Sequence, residues 1–208
     1  VMIGITVVFM GMLAKGSLGL LDGLILVTLL GLFLWDQYRS AQNLRPDQIH
    51  DYHEDVPALP KNEFLSVAFL IIGILLLPLG AWLTVEAAHS IALSLGVPDE
   101  IIGLTIVAVG TSLPELAASV MAVVRGSSNV AIGNVVGSNI FNIAAIMGIT
   151  TIIAPLEVGN HIIYVDMWVM LGASLWLAWL AYYKQNISRR SGVIMTLAYI
   201  IYLGAAFL

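Results

Sequence analysis

The chain of 208 residues contains no cysteine and few charged residues, and each shortage excludes a class of protein. Without thiols the chain forms no disulfide, no thiolate metal site and no cysteine nucleophile. Charged residues make up 10% of the sequence, whereas an ordinary soluble domain carries about 25%. Hydrophobic residues make up 60%, which predicts an all-α polytopic membrane protein. The net charge of −5 comes mostly from loops and indicates no nucleic-acid partner.

Apolar runs long enough to cross a bilayer, about 20 residues as a helix, fill most of the chain. The predicted spans are 18–35, 63–95, 101–124, 127–155, 161–183 and 191–208. The span at 63–95 is longer than a bilayer requires, so we expect it to be tilted or kinked at Pro78. The sequence starts at Val1 rather than Met, and the apolar run up to Ala14 is too short for a span. We therefore expect the chain to be part of a longer protein.

A single long polar stretch, from Asp36 to Lys61, interrupts the apolar runs and sets the predicted domains. It contains three prolines and scattered charges, which are typical of a connector outside the membrane. We predict the end of one helical set at 1–37, the connector at 38–62 and a second helical set at 63–208.

The distribution of basic residues predicts the orientation. Threading the spans alternately puts seven of the eight bases on one side of the membrane: Arg39, Arg45, Lys61, Arg125, Lys184, Arg189 and Arg190. The turns on the other side are acidic and contain only Lys15 among the bases. The connector is therefore expected to be cytoplasmic and the last residues to lie outside.

A carboxylate occurs inside one apolar run, at Glu115, directly after Pro114. A charge at the bilayer centre costs roughly 2.5–3.5 kcal/mol on insertion scales, so it usually faces a partner or a water-filled site. Proline has no N–H, so it leaves the carbonyl of Gly110 without its helical donor. Thr111 and Ser112 add hydroxyls on the same side, and oxygen is the ligand that sodium and calcium prefer. The pattern predicts a cation site in an interrupted transmembrane helix.

The following span carries a polar stripe at a spacing of four residues: Asn134, Ser138 and Asn142. Gly133 and Gly137 form a small-xxx-small pair, which allows a neighbouring backbone to approach closely. Helix packing with polar contacts would account for such a stripe on its own. Because the stripe follows an interrupted helix with an acidic residue, we favour a shared ion site, since transporters place ion sites in interrupted helices.

Two segments together resemble the second alpha-repeat of the sodium/calcium exchanger family, within the cation/calcium antiporter superfamily. They are Gly-Leu-Thr-Ile-Val-Ala-Val-Gly-Thr-Ser-Leu-Pro-Glu-Leu at 103–116 and Gly-Asn-Val-Val-Gly-Ser-Asn-Ile-Phe-Asn at 133–142. The resemblance implies ten helices in two inverted five-helix halves, with discontinuous helices at the ion site. This chain would hold the second half and the end of the first, and the half with the first alpha-repeat would be missing. A similar motif is then expected about 150–170 residues upstream of Glu115.

The resemblance also implies the role of each site residue. Glu115 would be the carboxylate shared by calcium and sodium. Thr111, Ser112 and the backbone carbonyl of Ala108 would offer oxygens to sodium. Ser138 would line a flanking sodium site. Asn142 occupies a position where relatives carry Asp or Asn, and its neutral amide argues against a potassium requirement.

The function implied is secondary active transport, in which sodium is exchanged for calcium by alternating access. Sodium and calcium would be the transported ions, with no cofactor and no enzymatic activity. The short connector resembles that of prokaryotic members, so a multi-pass protein of the prokaryotic inner membrane is expected. Alternatives are a potassium-dependent or a cation/proton antiporter of the same superfamily, although the Gly-Asn-x-x-Glu-His pattern of proton-coupled relatives is absent. An intramembrane enzyme is a distant alternative, since the spans contain no Ser–His or paired-aspartate arrangement.

Overall fold

The computed structural model describes residues 1–42, 63–97, 102, 108–184 and 188–205. Most of the predicted connector at 38–62 lies outside the described residues, as does the start of the predicted span at 101–124. The predicted domain boundaries therefore stay predictions.

The described residues are almost entirely helical. The helices are α1 (Met2–Leu13), α2 (Leu20–Gln42), α3 (Glu63–Ser94), α4 (Ala108–Thr111), α5 (Leu113–Val124), α6 (Ser128–Phe141), α7 (Gly148–Ile153), α8 (Met167–Lys184) and α9 (Arg189–Ala205). Two π-helical segments, Asn142–Met147 and Ile162–Asp166, precede α7 and α8. Two short strands, β1 (Ser17–Leu18) and β2 (Leu156–Glu157), complete the described elements.

Four helical stretches within the described residues are long and apolar enough to cross a membrane. They are Leu20–Gln42, Phe64–Ser94, Ser128–Ile153 and Ile162–Tyr182. The most apolar of them lies in α3, where none of the residues in its most apolar stretch of 18 residues is buried, and most of its large hydrophobic side chains are exposed. Exposed apolar surface of this extent is untenable in water and indicates lipid or another membrane helix as its surroundings. The prediction of an all-α polytopic membrane protein is thereby confirmed.

Contacts divide the chain into two units, which are described separately. The first comprises the described residues of Val1–Ile49 and Val135–Met195, and the second those of His50–Asn134 and Thr196–Leu208.

The core of the first unit forms where α1, α2, α8 and the π segment Asn142–Met147 meet. Its fully or nearly fully buried side chains include Phe9, Leu18, Leu26, Ile140 and Ala144. Leu26 and Ala144 are both 0% exposed, which fixes α2 against the π segment.

The strands β1 and β2 join two turns that are far apart in the sequence. They pair antiparallel, with Ser17 opposite Glu157 and Leu18 opposite Leu156. The amide of Val158 extends the pairing by donating to the carbonyl of Gly16 at 3.0 Å. Paired turns must lie on the same side of a membrane, and the alternate threading of the predicted spans likewise puts these two turns on one side.

An acidic residue at the start of α2 is satisfied locally. Asp22 forms an ion pair with Lys15 and accepts a hydrogen bond from the amide of Gly19 at 3.0 Å. A carboxylate in the first turn of a helix is also favoured by the helix dipole. Asp22 is therefore part of the capping of α2.

Helices α2 and α7 approach at two glycines. A Cβ atom on Gly23 would lie 2.6 Å from the carbonyl oxygen of Gly148 and 2.6 Å from the hydroxyl of Thr151. A Cβ atom on Gly148 would lie 3.2 Å from the Cβ of Leu26. Close approach at small residues is how helices gain packing energy in a membrane.

The second unit brings the long helix α3 against the short helices α4 and α5. Both α3 and α5 end at a glycine with positive φ, Gly96 at 78° and Gly126 at 83°. In each case the next amide reaches back to the helix, from Val97 to the carbonyl of Ala92 and from Ser127 to that of Ala122. Glycine commonly ends helices in this way, because it adopts positive φ without strain.

The contact of α2 with α7 predicts a stability difference between two alanine substitutions on one helix. Gly23→Ala should lower the free energy of unfolding by about 1–3 kcal/mol, because the new methyl group meets backbone that cannot move aside. Gly31→Ala is the control, since a Cβ atom there meets nothing within 4 Å. Unfolding of the complete protein in mixed micelles measures both, and equal stabilities of the two variants would contradict the tight crossing.

Candidate cation site

The helix interruption predicted from the sequence is present, and it falls at Ser112. Helix α4 ends at Thr111, and α5 begins at Leu113 with a proline in its first turn. The amide of Ser112 donates to the carbonyl of Val109 at 3.1 Å, a bond spanning three residues instead of four. Pro114 is tolerated at its position because the first turn of a helix needs no N–H donor. The break therefore lies two residues before the proline, which starts the new helix and does not disturb an existing one.

Glu115 lies in the first turn of α5 and is partly buried. Its oxygen Oε2 is fully buried and has no hydrogen-bond partner among the described residues. An unsatisfied buried polar atom costs about 1–3 kcal/mol, and more where it is charged. Such an atom in a native protein calls for an explanation, and a bound cation is one. The position at the N-terminus of α5 favours the negative charge through the helix dipole.

Asn134 connects α6 to the turn of α5 that carries Glu115. Its side-chain amide nitrogen Nδ2 donates to the backbone carbonyl of Glu115 at 3.0 Å and to the hydroxyl of Ser119 at 2.9 Å. Asn134 belongs to the polar stripe that predicts a shared ion site, but the sequence gives it no ligand role of its own. The stripe was the available signal, and only the packing of the two helices identifies the partner.

Gly110 precedes the interruption and is buried against the long helix α3. A Cβ atom on Gly110 would lie 1.9 Å from Cγ2 of Val85, which is closer than any real contact. The side chain of Val85 is branched at Cβ and stiff, so it cannot turn aside cheaply. Gly110 is thus required for α3 to pack against the interrupted helix.

Ser138 and Asn142 lie in the first unit, one helical turn apart. Ser138 is partly buried and donates to the carbonyl of Val135 in its own helix at 3.1 Å. Asn142 is exposed and begins the π-helical segment Asn142–Met147. A π-helical turn inserts an extra residue into a helix and occurs often at functional sites. The span carrying the polar stripe is therefore irregular at the residue where the stripe ends.

The predicted site residues form two groups. Ala108, Thr111, Ser112 and Glu115 follow one another across the break between α4 and α5, where Ala108 is the first residue of α4. Thr111 and Ser112 are exposed, and Glu115 is joined to Asn134 through its backbone. Ser138 and Asn142 form the second group, at the end of α6 and the start of the π segment. The role of each as an ion ligand stays a prediction.

The contact between Gly110 and Val85 predicts a compensating pair of substitutions. Gly110→Ala should lower the free energy of unfolding by about 1–3 kcal/mol through overpacking. Adding Val85→Ala should recover much of that loss, because it removes the methyl groups that the new Cβ atom meets. Gly73→Ala on α3, where a Cβ atom meets nothing within 4 Å, is the control. Additive effects of the two substitutions in mixed-micelle unfolding would contradict the contact.

The sequence matches known proteins along most of its length. The sequence model of the family described as sodium/calcium exchanger protein matches residues 65–208. The putative antiporter CaxA of Alkalimonas amylolytica is 37% identical over 206 residues, covering 86% of this chain and 64% of the relative. The inner membrane protein YrbG of Escherichia coli K12 is 33% identical over 212 residues, covering 99% of this chain and 65% of the relative. The chain thus spans just under two thirds of the length of these relatives.

A solved structure of the sodium-calcium exchanger NCX_Mj, soaked with sodium and strontium ions, resembles the chain with a TM-score of 0.74 and 30% sequence identity. The match covers 98% of this chain and 64% of that protein. A second structure of the same exchanger, soaked without sodium and calcium, gives a TM-score of 0.71. The interrupted helix with its acidic residue, the apolar spans and these similarities agree, and the chain belongs to the sodium/calcium exchanger protein family.

Proposed function

We propose that the complete protein is a secondary active transporter that exchanges sodium for calcium across a membrane by alternating access. The observation that carries the proposal is the buried oxygen Oε2 of Glu115, which has no hydrogen-bond partner among the described residues of a chain from the exchanger family. A permanent structural role would leave such an oxygen paired. A role in binding a transported cation leaves it free between one ion and the next.

The proposed site uses oxygen ligands from both groups of residues. Glu115 supplies the carboxylate for which calcium and sodium compete. Thr111, Ser112 and the carbonyl of Ala108 supply oxygens at the helix break, where backbone carbonyls lose their helical donors. Ser138 and Asn142 supply a hydroxyl and an amide oxygen from the following span: both are neutral, so Glu115 carries the only negative charge in this set.

Exchange follows from competition for the same oxygens. A site loaded with calcium or with sodium has its charge neutralised and can pass through apolar surroundings. An empty site exposes a bare carboxylate to the apolar barrier at a cost of several kcal/mol, so the empty protein does not switch its access from one side of the membrane to the other. The long helix α3 packs against the interrupted helix at Gly110 and is the proposed moving element.

The residues of this chain are too few to complete the site. Calcium takes about six to eight oxygen ligands, of which a carboxylate usually supplies the main charge. We propose that a second inverted half, carrying the first alpha-repeat and its own acidic residue, supplies the remainder. That half would precede this one in the same protein or come from a second copy. By analogy with YrbG, which is called an inner membrane protein, the proposed location is a prokaryotic inner membrane.

Calcium uptake driven by a sodium gradient tests this function directly. Vesicles containing the complete protein and loaded with sodium should accumulate calcium when diluted into sodium-free buffer. Glu115→Gln should abolish the uptake, because the amide keeps the shape and loses the charge that neutralises calcium. Glu157→Gln, in the strand β2 outside the proposed site, is the control and should transport like the wild type. Uptake that is unaffected by Glu115→Gln would exclude Glu115 as the ion ligand.

A potassium-coupled exchanger is the second candidate, because several relatives carry the name sodium/potassium/calcium exchanger 1. The sodium/potassium/calcium exchanger 1 of Bos taurus is 40% identical over 89 residues, which is 43% of this chain. The neutral amide of Asn142 argues for the simpler exchange, since it adds no charge for a further cation to balance.

Replacement of potassium in the same vesicles separates the two candidates. Calcium uptake by the wild type should be unchanged when potassium is replaced by a large organic cation. Asn142→Asp should slow the uptake, because the added charge requires another cation before the loaded site is neutral. Asn160→Asp, at an exposed residue where the helical stretch after β2 begins, is the matched control. Loss of wild-type uptake on removal of potassium would favour the potassium-coupled exchanger.

A further inference from the structure

The side chain of Asn134 spans one full turn of a neighbouring helix. Its two amide hydrogens are directed to the carbonyl of Glu115 and to the hydroxyl of Ser119, at 3.0 and 2.9 Å. These residues are four apart on α5, so they lie on the same face of that helix. In an α-helix the carbonyl of Glu115 also accepts the amide of Ser119, and a carbonyl has lone pairs for both donors. Asn134 therefore brackets the turn that begins with Glu115.

The chemistry of the two partners fixes the orientation of the amide. A backbone carbonyl can only accept a hydrogen bond, so the nitrogen of Asn134, not its oxygen, must face Glu115. The amide oxygen then points away from this carbonyl. An isolated hydrogen bond between helices in a membrane protein contributes little to stability, but two bonds to one turn also restrict how α5 can slide or rotate.

The carboxylate of Glu115 is held in a different way from its backbone. Its oxygen Oε2 is buried and has no hydrogen-bond partner among the described residues, so no bond to that oxygen fixes it. The break at Ser112 removes the constraint that a continuous helix would impose from the other direction. The hydrogen bonds from Asn134 in α6 thus fix the position of the Glu115 backbone along the membrane. They leave the buried oxygen Oε2 available to an ion.

We infer that Asn134 is a positioning residue, which holds the backbone of Glu115 at the level where its carboxylate meets the transported cation. The inference rests on the proposed function in one respect: the cation is the one that Glu115 binds. Asn134 itself contacts the backbone and a hydroxyl of α5, so it acts through Glu115. Because calcium and sodium share that carboxylate, loss of Asn134 should weaken the apparent affinity for both ions together.

Transport kinetics with Asn134→Ala test this inference. In vesicles of the complete protein, the variant should raise the KM for calcium about two- to tenfold, the range expected from the loss of one or two net hydrogen bonds. The half-inhibitory concentration of external sodium should rise in parallel. The maximal rate per reconstituted protein should change less than the KM. A merely structural role would instead lower the amount of active protein and leave the KM as in the wild type.

Two further variants set the scale of the effect. Ser119→Ala removes one of the two bonds but keeps the bond to the carbonyl of Glu115, so its effect on the KM should be smaller. Asn129→Ala removes an exposed amide from the first turn of the same helix and should leave the KM unchanged. An unchanged KM in Asn134→Ala, or an equal rise in Asn129→Ala, would overturn the inference.

Hydrogen exchange provides a readout that does not depend on transport. In Asn134→Ala, amides in peptides covering 113–124 should exchange faster than in the wild type, while those covering α3 should not. If the wild type shows no sodium-driven calcium uptake, the proposed function fails, and the exchange pattern still decides whether Asn134 holds this turn. Exchange that is unchanged in 113–124 would overturn the inference under either result. Should Asn134→Ala not fold, Asn134→Thr, which nearly keeps the side-chain volume but lacks the amide, is measured in the same way.

Discussion

A carboxylate with a buried, unpaired oxygen is the constraint on which the second unit depends. The oxygen Oε2 of Glu115 lacks a hydrogen-bond partner among the described residues, a state that a folded protein normally avoids. The helix dipole at the start of α5 offsets part of this cost, because it favours a negative charge there. The hydrogen bond from Asn134 holds the backbone of the residue and does not pair with the oxygen itself. The unit thus holds Glu115 in place while its buried oxygen stays unpaired among the described residues.

The first unit is held by contacts of a different kind, which are distant in sequence and close in space. The pairing of β1 with β2 joins residue 17 to residue 157, and the crossing at Gly23 and Gly148 packs α2 against α7. Between these contacts lies the π segment that begins at Asn142. A π-helical turn is strained relative to an α-helix and persists where the surroundings impose it. The packing of α2 against this segment provides such surroundings, so the irregular backbone at Asn142 follows from the rigidity of its neighbours.

The sequence was sufficient to predict a polytopic membrane protein with an interrupted helix, because both features follow from composition and local chemistry. A proline next to an acidic residue in an apolar run allows few other interpretations. The residue at which the helix breaks was less predictable. The sequence predicted that Pro114 leaves the carbonyl of Gly110 without its helical donor, but not that the helix ends at Thr111 and restarts at Leu113. Proline in a first turn costs little, so the chain can break before it at the residue where tertiary packing allows.

Contacts between elements could not be read from residue types. The bond of Asn134 to Glu115 joins residues 19 positions apart and requires a particular rotation of α6, which the spacing of the stripe alone does not set. The same holds for Val85 opposite Gly110, because a glycine inside an apolar helix has many uses. The π segment at Asn142 has no compositional signature, since it results from packing. Sequence patterns therefore predict the candidate ligands, and the structure adds which neighbouring residues pack against them.

The charge of the proposed site decides what kind of binding it can support. The described residues contain no cluster of three or more acidic or histidine side chains that could hold a metal ion. A permanent calcium site needs several carboxylates and about six to eight oxygens, and its affinity rises with the number of charges. Glu115 with hydroxyl and amide oxygens is far below that requirement, so cation binding at the proposed site would be weak and reversible. Weak binding by shared oxygens is what the proposed exchange requires, because each ion must be displaced by the other in every cycle. A second acidic residue from the proposed inverted half would add charge without making the site permanent.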